Sequence, residues 1–191
     1  MKPKIYIFIL VIMLVTSFVA CSTEQIIEKN VSEDTIKRIN AEETYPEVPG
    51  ELQIIYDNIT NIILDANDIV KIKVLEQGID ILDGYPQTNT VAEICYVSKG
   101  NLKVGDKITI VEEGGINGKV LGGMPQLNNK SDYVLFLTEY NGKYYILGAF
   151  QGRFIEREGY LFQQATIDVK LSDYKPITTE GFLKMIEKTL K

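Results

Sequence analysis

Tyr133-Val-Leu-Phe-Leu-Thr-Glu-Tyr-Asn-Gly-Lys-Tyr-Tyr-Ile-Leu-Gly-Ala149 sets two apolar runs on either side of Asn141-Gly142. A two-residue turn with positive φ at both positions suits Asn-Gly and matches the right-handed twist of the strands it joins. The stretch therefore predicts a β-hairpin of strands Tyr133–Tyr140 and Lys143–Ala149. Glu158-Gly159 predicts a second tight turn, between strands Arg153–Ile155 and Tyr160–Ala165.

Working toward the N-terminus, Lys107–Glu112 and Thr90–Val97 read as further strands, punctuated by Gly100, Gly105, Gly114 and Gly115. Asp68-Ile-Val-Lys-Ile-Lys-Val-Leu75 is a strand because β-branched residues alternate with charged ones. Before it, Ile59, Ile62, Ile63 and Ala66 stand at helical spacing, although their β-branched content leaves a strand as the alternative. Leu52–Tyr56 suggests an earlier strand. At the other end, Phe182, Ile186 and Leu190 repeat every four residues, so 179–190 predicts a packing helix capped by Thr178. Short strands between glycine turns indicate a mainly β fold, a small barrel or sandwich whose closure or stacking protects strand edges. An OB-like and an SH3-like barrel both fit, because turn spacing does not encode strand order.

The chain opens differently. Lys2 and Lys4 precede sixteen uncharged residues, Ile5 to Ala20, and then Cys21-Ser22 begins a polar stretch. This is the pattern of a secretory signal. As a helix the apolar stretch would span about 24 Å, less than the roughly 30 Å of a bilayer core. Phe18-Val-Ala-Cys21 resembles the lipobox of bacterial lipoproteins. That resemblance implies cleavage before Cys21, a lipidated cysteine as the mature first residue, and a domain held to the cell membrane on its extracytoplasmic face. Two or more acyl chains anchor stably where one does not. The expected organisation is a signal at 1–20, a polar tether at 21–50 and an extracytoplasmic domain at 51–191. Ser32–Ala41 within the tether is a candidate short helix, stopped by Pro46 and Pro49.

The full chain carries 20 basic and 26 acidic residues. Loss of Lys2 and Lys4 would deepen the negative charge, which disfavours nucleic acid as a partner. With Cys21 acylated, Cys95 is the single remaining cysteine and no internal disulfide is expected. Its place in Val91–Val97 suggests a small buried hydrophobe.

Three segments in order resemble a group of small secreted or lipid-anchored bacterial β-domains, common in Gram-positive organisms and mostly without assigned activity. They are Tyr96–Val111 with Glu113-Gly-Gly115, then Asp132–Leu137 with Tyr144–Gly148, then Gln151-Gly-Arg-Phe154. Asn58–Leu75 is similar to the opening of those domains, and the likeness spans about residues 51–190. It implies a barrel-like domain outside the membrane and brings no catalytic residue.

The chain has no histidine, which removes His-based triads and zinc peptidase sites. In the glycine-rich Gly114–Gly123 loop, Gly118-Lys119 precedes Val120, and position 113 is glutamate, so the phosphate-loop pattern fails. Glu112-Glu113 are neighbours in a strand and point to opposite faces, a poor acid/base pair. Asp80 and Asp83 flank a short turn. Asp65, Asn67 and Asp68 lack the glycine and terminal glutamate of a calcium loop. No catalytic residue, metal or cofactor is implied. Arg153, Tyr144 and Tyr145 are candidate partner contacts. Arg153 suits a carboxylate, with an ion pair to Glu156 or Glu158 as the competing reading. The tyrosines suit an envelope protein or glycan, with core packing as theirs. The expected function is a lipid-anchored binding or scaffolding module, and the alternative is an envelope hydrolase or inhibitor whose groups converge only in three dimensions.

Overall fold

A computed structural model of the chain describes residues 31–42, 55–115, 125–165 and 170–191. The predicted signal, Cys21, much of the tether, most of the Leu52–Tyr56 strand and Ile116–Gly123 of the glycine-rich loop lie outside the described residues. Ile55 and Tyr56 belong to no strand.

The described chain forms α1 (Glu33–Glu42), α2 (Ile59–Asp65), β1 (Asp68–Leu82), β2 (Tyr85–Lys99) and β3 (Lys107–Glu113). After these come β4 (Tyr133–Tyr140), β5 (Lys143–Ile146), β6 (Arg153–Arg157), β7 (Tyr160–Gln163), β8 (Ile177–Thr178) and α3 (Thr179–Thr189). The fold is mainly β, as expected, with a short helix toward the N-terminus and one at the C-terminus.

Strand pairing runs β1-β2-β3-β5-β4 and returns to β1, giving a partial ring, with β6, β7 and β8 added beyond β4. All pairs are antiparallel except β3 and β5, which run parallel through Ile110–Tyr144 and Val111–Tyr145. The structure thus fixes the strand order that turn spacing left open.

Three two-residue turns set the hairpins. Asn141-Gly142 has φ of 53° and 75°, Glu158-Gly159 has 52° and 80°, and Asp83-Gly84 has 51° and 85°. The first two are at the predicted places. The third joins β1 to β2 and extends both strands to 15 residues. Beta structure thus continues well past the predicted limits at Leu75 and Thr90.

Two cores hold the strands. Val70, Ile72, Val74, Ala92, Ile94, Ile108, Ile110, Leu135 and Leu137 fill the ring. Val134, Phe136 and Phe154 face the other way, into a second core with α2 and α3. Phe182 of α3 stacks with Phe154 at 4.8 Å between ring centroids. Tyr133 to Leu137 are all buried because β4 is covered on both faces. α3 begins as predicted, with Thr178 Oγ1 accepting from Gly181 N–H at 3.1 Å. α2 is capped by Asn58, whose Oδ1 accepts from Asn61 N–H at 2.9 Å. α1 also joins the fold, for Ile39 is 1% exposed and packs into the ring core. Arg38 beside it pairs with Glu158 in the β6–β7 turn.

Cys95 is exposed, not buried as expected. Ala92 and Ile94 point into the ring, and alternation along β2 therefore turns Cys95 outward.

Candidate functional site

β4 accompanies β1 only from Asp68 to Ile72. Beyond that point β1 has β2 on one side and, among the described residues, no strand on the other. β3 supports β2 from Gln87 to Glu93. The distal part of the β1–β2 hairpin is therefore an arm with one open edge.

Large apolar side chains crowd its end. Ile79 is 56% exposed, Ile81 70%, Leu82 55% and Tyr85 75%. Cross-strand partners share a face, so Ile79 and Ile81 lie with Thr88 and Pro86 on the face continuous with the ring interior. Asp80, Leu82 and Tyr85 occupy the other face. An apolar cluster of this kind at a protruding tip marks a contact surface more often than a lone exposed leucine does.

Backbone polarity along the open edge follows from the turn. A two-residue primed turn makes Leu82 and Tyr85 a hydrogen-bonded pair, and the pattern repeats at Asp80–Gln87 and Gly78–Asn89. Gln77, Ile79 and Ile81 therefore aim their N–H and C=O groups away from β2. The Asp80 carboxylate accepts the Ile81 N–H at 2.8 Å and masks one of these donors.

Polar groups line the inner face at the base of the arm. Thr88 Oγ1 donates to Gly114 O at 2.7 Å. Gln77 Nε2 donates to Thr90 Oγ1 at 3.0 Å and to Leu127 O at 2.6 Å. Below them Arg153 Nη1 donates to Glu112 Oε1 at 2.8 Å and to Pro125 O at 2.9 Å. Leu127 N–H also donates to Glu112 Oε2, at 3.1 Å. Burial pushes the Glu112 carboxyl up, against the opposing pull of Arg153 and the Leu127 N–H. The Phe150 ring centroid lies 5.4 Å from the guanidinium carbon. Arg153 Nε and Nη2 have no hydrogen-bond partner among the described residues.

The predicted contacts fall in different places. Arg153 is 1% exposed and lies inside the ring, paired with Glu112 rather than with the expected Glu156 or Glu158. Those two glutamates are taken by Lys71 and Arg38. Tyr144 is half-buried against the ring core, and Tyr145 follows it on the opposite face of β5. The three do not form one surface. Glu112 and Glu113 diverge as expected, with Glu112 inward and Glu113 exposed. Asp80 lies in β1, and Asp83 is itself a turn residue rather than flanking one.

Asn67 and Asp68 are occupied structurally. Asn67 Oδ1 accepts from Thr138 Oγ1 at 2.9 Å, and Asp68 Oδ1 accepts from Asn101 N–H at 3.0 Å. Two shallow grooves of about 490 and 550 Å³ flank α3. In the first, Lys71–Glu156 and Lys184–Glu180 pair with each other, and the Tyr96 hydroxyl meets Glu187 at 3.3 Å.

Sequence reasoning missed the arm. Asp83-Gly84 carries the same signature as Asn141-Gly142, and Ile79, Ile81 alternate before it. Gly78, Pro86 and Asn89, all poor strand formers, obscured the two strands on either side.

No family model, no curated protein and no solved structure matches the chain.

Proposed function

We propose that this chain is a lipid-anchored module on the extracytoplasmic face of a bacterial cell envelope, and that it binds or scaffolds another polypeptide through the β1–β2 arm. The observation that carries this reading is the arm itself, a strand edge that is open among the described residues and ends in exposed Ile79, Ile81, Leu82 and Tyr85. An extended segment adds to such an edge through main-chain hydrogen bonds, and flanking side-chain contacts select it. The location is supported by Phe18-Val-Ala-Cys21 behind an apolar stretch. The negative net charge supports a protein rather than a nucleic acid as partner.

The enzyme alternative has one observation in its favour, the desolvated Glu112. Its oxygens already accept from Arg153 and from the Leu127 N–H. Such a carboxylate is committed to structure rather than poised for proton transfer.

The test has two parts. Protein recovered from membranes of a cell expressing the full chain is analysed by intact mass and N-terminal peptide. A chain beginning at diacylated Cys21 supports the anchor, whereas a lipid-free or Met1 terminus overturns it. In the same cells, Ile81→Lys/Tyr85→Lys is expected to lose its envelope contacts while remaining folded. Unchanged contacts would sink the assignment to the arm.

A further inference from the structure

An open edge of this length accepts only certain partners, because charge and bulges restrict the register. From Gln77 to Leu82 the register of β1 on β2 is uninterrupted, while irregularities fall between Val74 and Glu76 and nearer the start of the strand. The outward backbone groups belong to Gln77, Ile79 and Ile81, and a pairing strand must offer the same spacing. β1 of a second copy, running antiparallel, offers it.

A two-fold axis through Asp80 places Asp80 opposite Asp80 of the second copy. An axis through Gly78 places Glu76 opposite Asp80. Both set like charges against each other, which destabilises a pair of strands. An axis through Gln77 runs the pairing into the irregularity at 74–76. One through Ile81 leaves only a short overlap, because β1 ends at Leu82.

An axis through Ile79 avoids each of these direct oppositions and keeps the ladder clear of the irregularity. Ile79 then faces Ile79, Gln77 faces Ile81, Glu76 faces Leu82, and Asp80 faces Gly78. A side chain at Gly78 would meet nothing within 4 Å, so the space opposite Asp80 is open. The Ile81 N–H, held by Asp80 in the single chain, gains the Gln77 carbonyl of the second copy. Two Ile79 and two Ile81 side chains come together on one face.

We infer that the arm pairs with the arm of a second copy of this chain, antiparallel and centred on Ile79, forming a closed two-fold dimer with a strand ladder continuous across both molecules. The inference rests on the reading of the arm as a contact surface and names the polypeptide that occupies it. A two-fold contact of this kind is self-complementary and does not propagate into fibres.

The experiment uses the full chain in its membrane, in a Cys95→Ser background, with a bis-maleimide of two-carbon spacer. Ile79→Cys should give a covalent dimer of twice the chain mass. Leu82→Cys should not, because two such residues sit about 20 Å apart in this register at about 3.3 Å per residue. The Cys95→Ser chain without a new cysteine controls for Cys21. Ile79 and Leu82 are exposed, and equal melting temperatures confirm that each variant folds. Light scattering of the detergent-solubilised full chain should give a mass that rises with concentration to two copies. A dimer through Leu82→Cys alone, or equally through both positions, overturns the register. No homodimer by either method overturns the inference. In that event an Ile79→Cys adduct with a different envelope protein leaves the contact surface standing, and no adduct of any kind counts against both.

Discussion

Arg153 and Glu112 meet inside the ring at 2.8 Å, their side chains 1% and 9% exposed. They come from strands 41 positions apart in sequence. Removing one partner strands the other's charge in an apolar core, which typically costs about 3–5 kcal/mol. Arg153→Met or Glu112→Gln alone should therefore fall in that range by urea denaturation. Arg153→Met/Glu112→Gln together should cost clearly less than the two single losses added. Strict additivity would mean that the pair is not coupled.

The Lys71–Glu156 pair gives a pH signature. Lys71 Nζ stands 3.0 Å from Glu156 Oε2, which also accepts from Thr179 Oγ1 at 2.8 Å. Burial pushes the Glu156 carboxyl up, but the Lys71 ammonium and Thr179 hydroxyl outweigh it and hold it below the ordinary range. A carboxyl lowered on folding stabilises the protein above its unfolded value of about 4.3. That contribution disappears as pH falls through the folded value. Glu156→Gln should cost up to about 1 kcal/mol at neutral pH, because the pair is partly solvated. The difference from the parent should shrink as pH falls through the folded value. A cost independent of pH in urea titrations would contradict the assignment.

Ile39 tests whether α1 belongs to the folded domain. The residue is 1% exposed against the ring core. Truncating a buried isoleucine to alanine costs about 2–5 kcal/mol. Ile39→Ala should lower the melting temperature measured by thermal unfolding. A neutral result would return α1 to the tether.

Asp68 and Gly100 are locked together at the end of β2. Gly100 has φ of +105°, and a Cβ there would lie 1.9 Å from Asp68 Oδ1. That oxygen accepts from Asn101 N–H. Gly100→Ala should cost about 2–3 kcal/mol through strain and loss of this bond. Asp68→Asn should cost less, since its retained amide oxygen can still accept. A larger loss for Asp68→Asn would reverse the argument.

Much of this fold was legible in turn dipeptides and alternation. Asn141-Gly142, Glu158-Gly159 and the Thr178 cap each act locally, and each stands where the residues predict. The position of Arg153 was not legible. Its partner Glu112 is brought to it by the ring, and local sequence offered only Glu156 and Glu158 as neighbours. Cys95 fails for a simpler reason. The strand was recognised but its phase was not, although Ile94 beside it already claims the inward direction. The arm escaped because its strands read as turn and loop in composition, and pairing with β2 overrode that preference.

The most direct test places a photo-crosslinking residue at Tyr85 of the full chain in cells that express it, with Lys188 on α3 as the control. Both positions are exposed. A polypeptide adduct is expected from Tyr85 and none from Lys188. No adduct at Tyr85, or equal adducts at both positions, would contradict the claim that the arm is where this domain meets its partner.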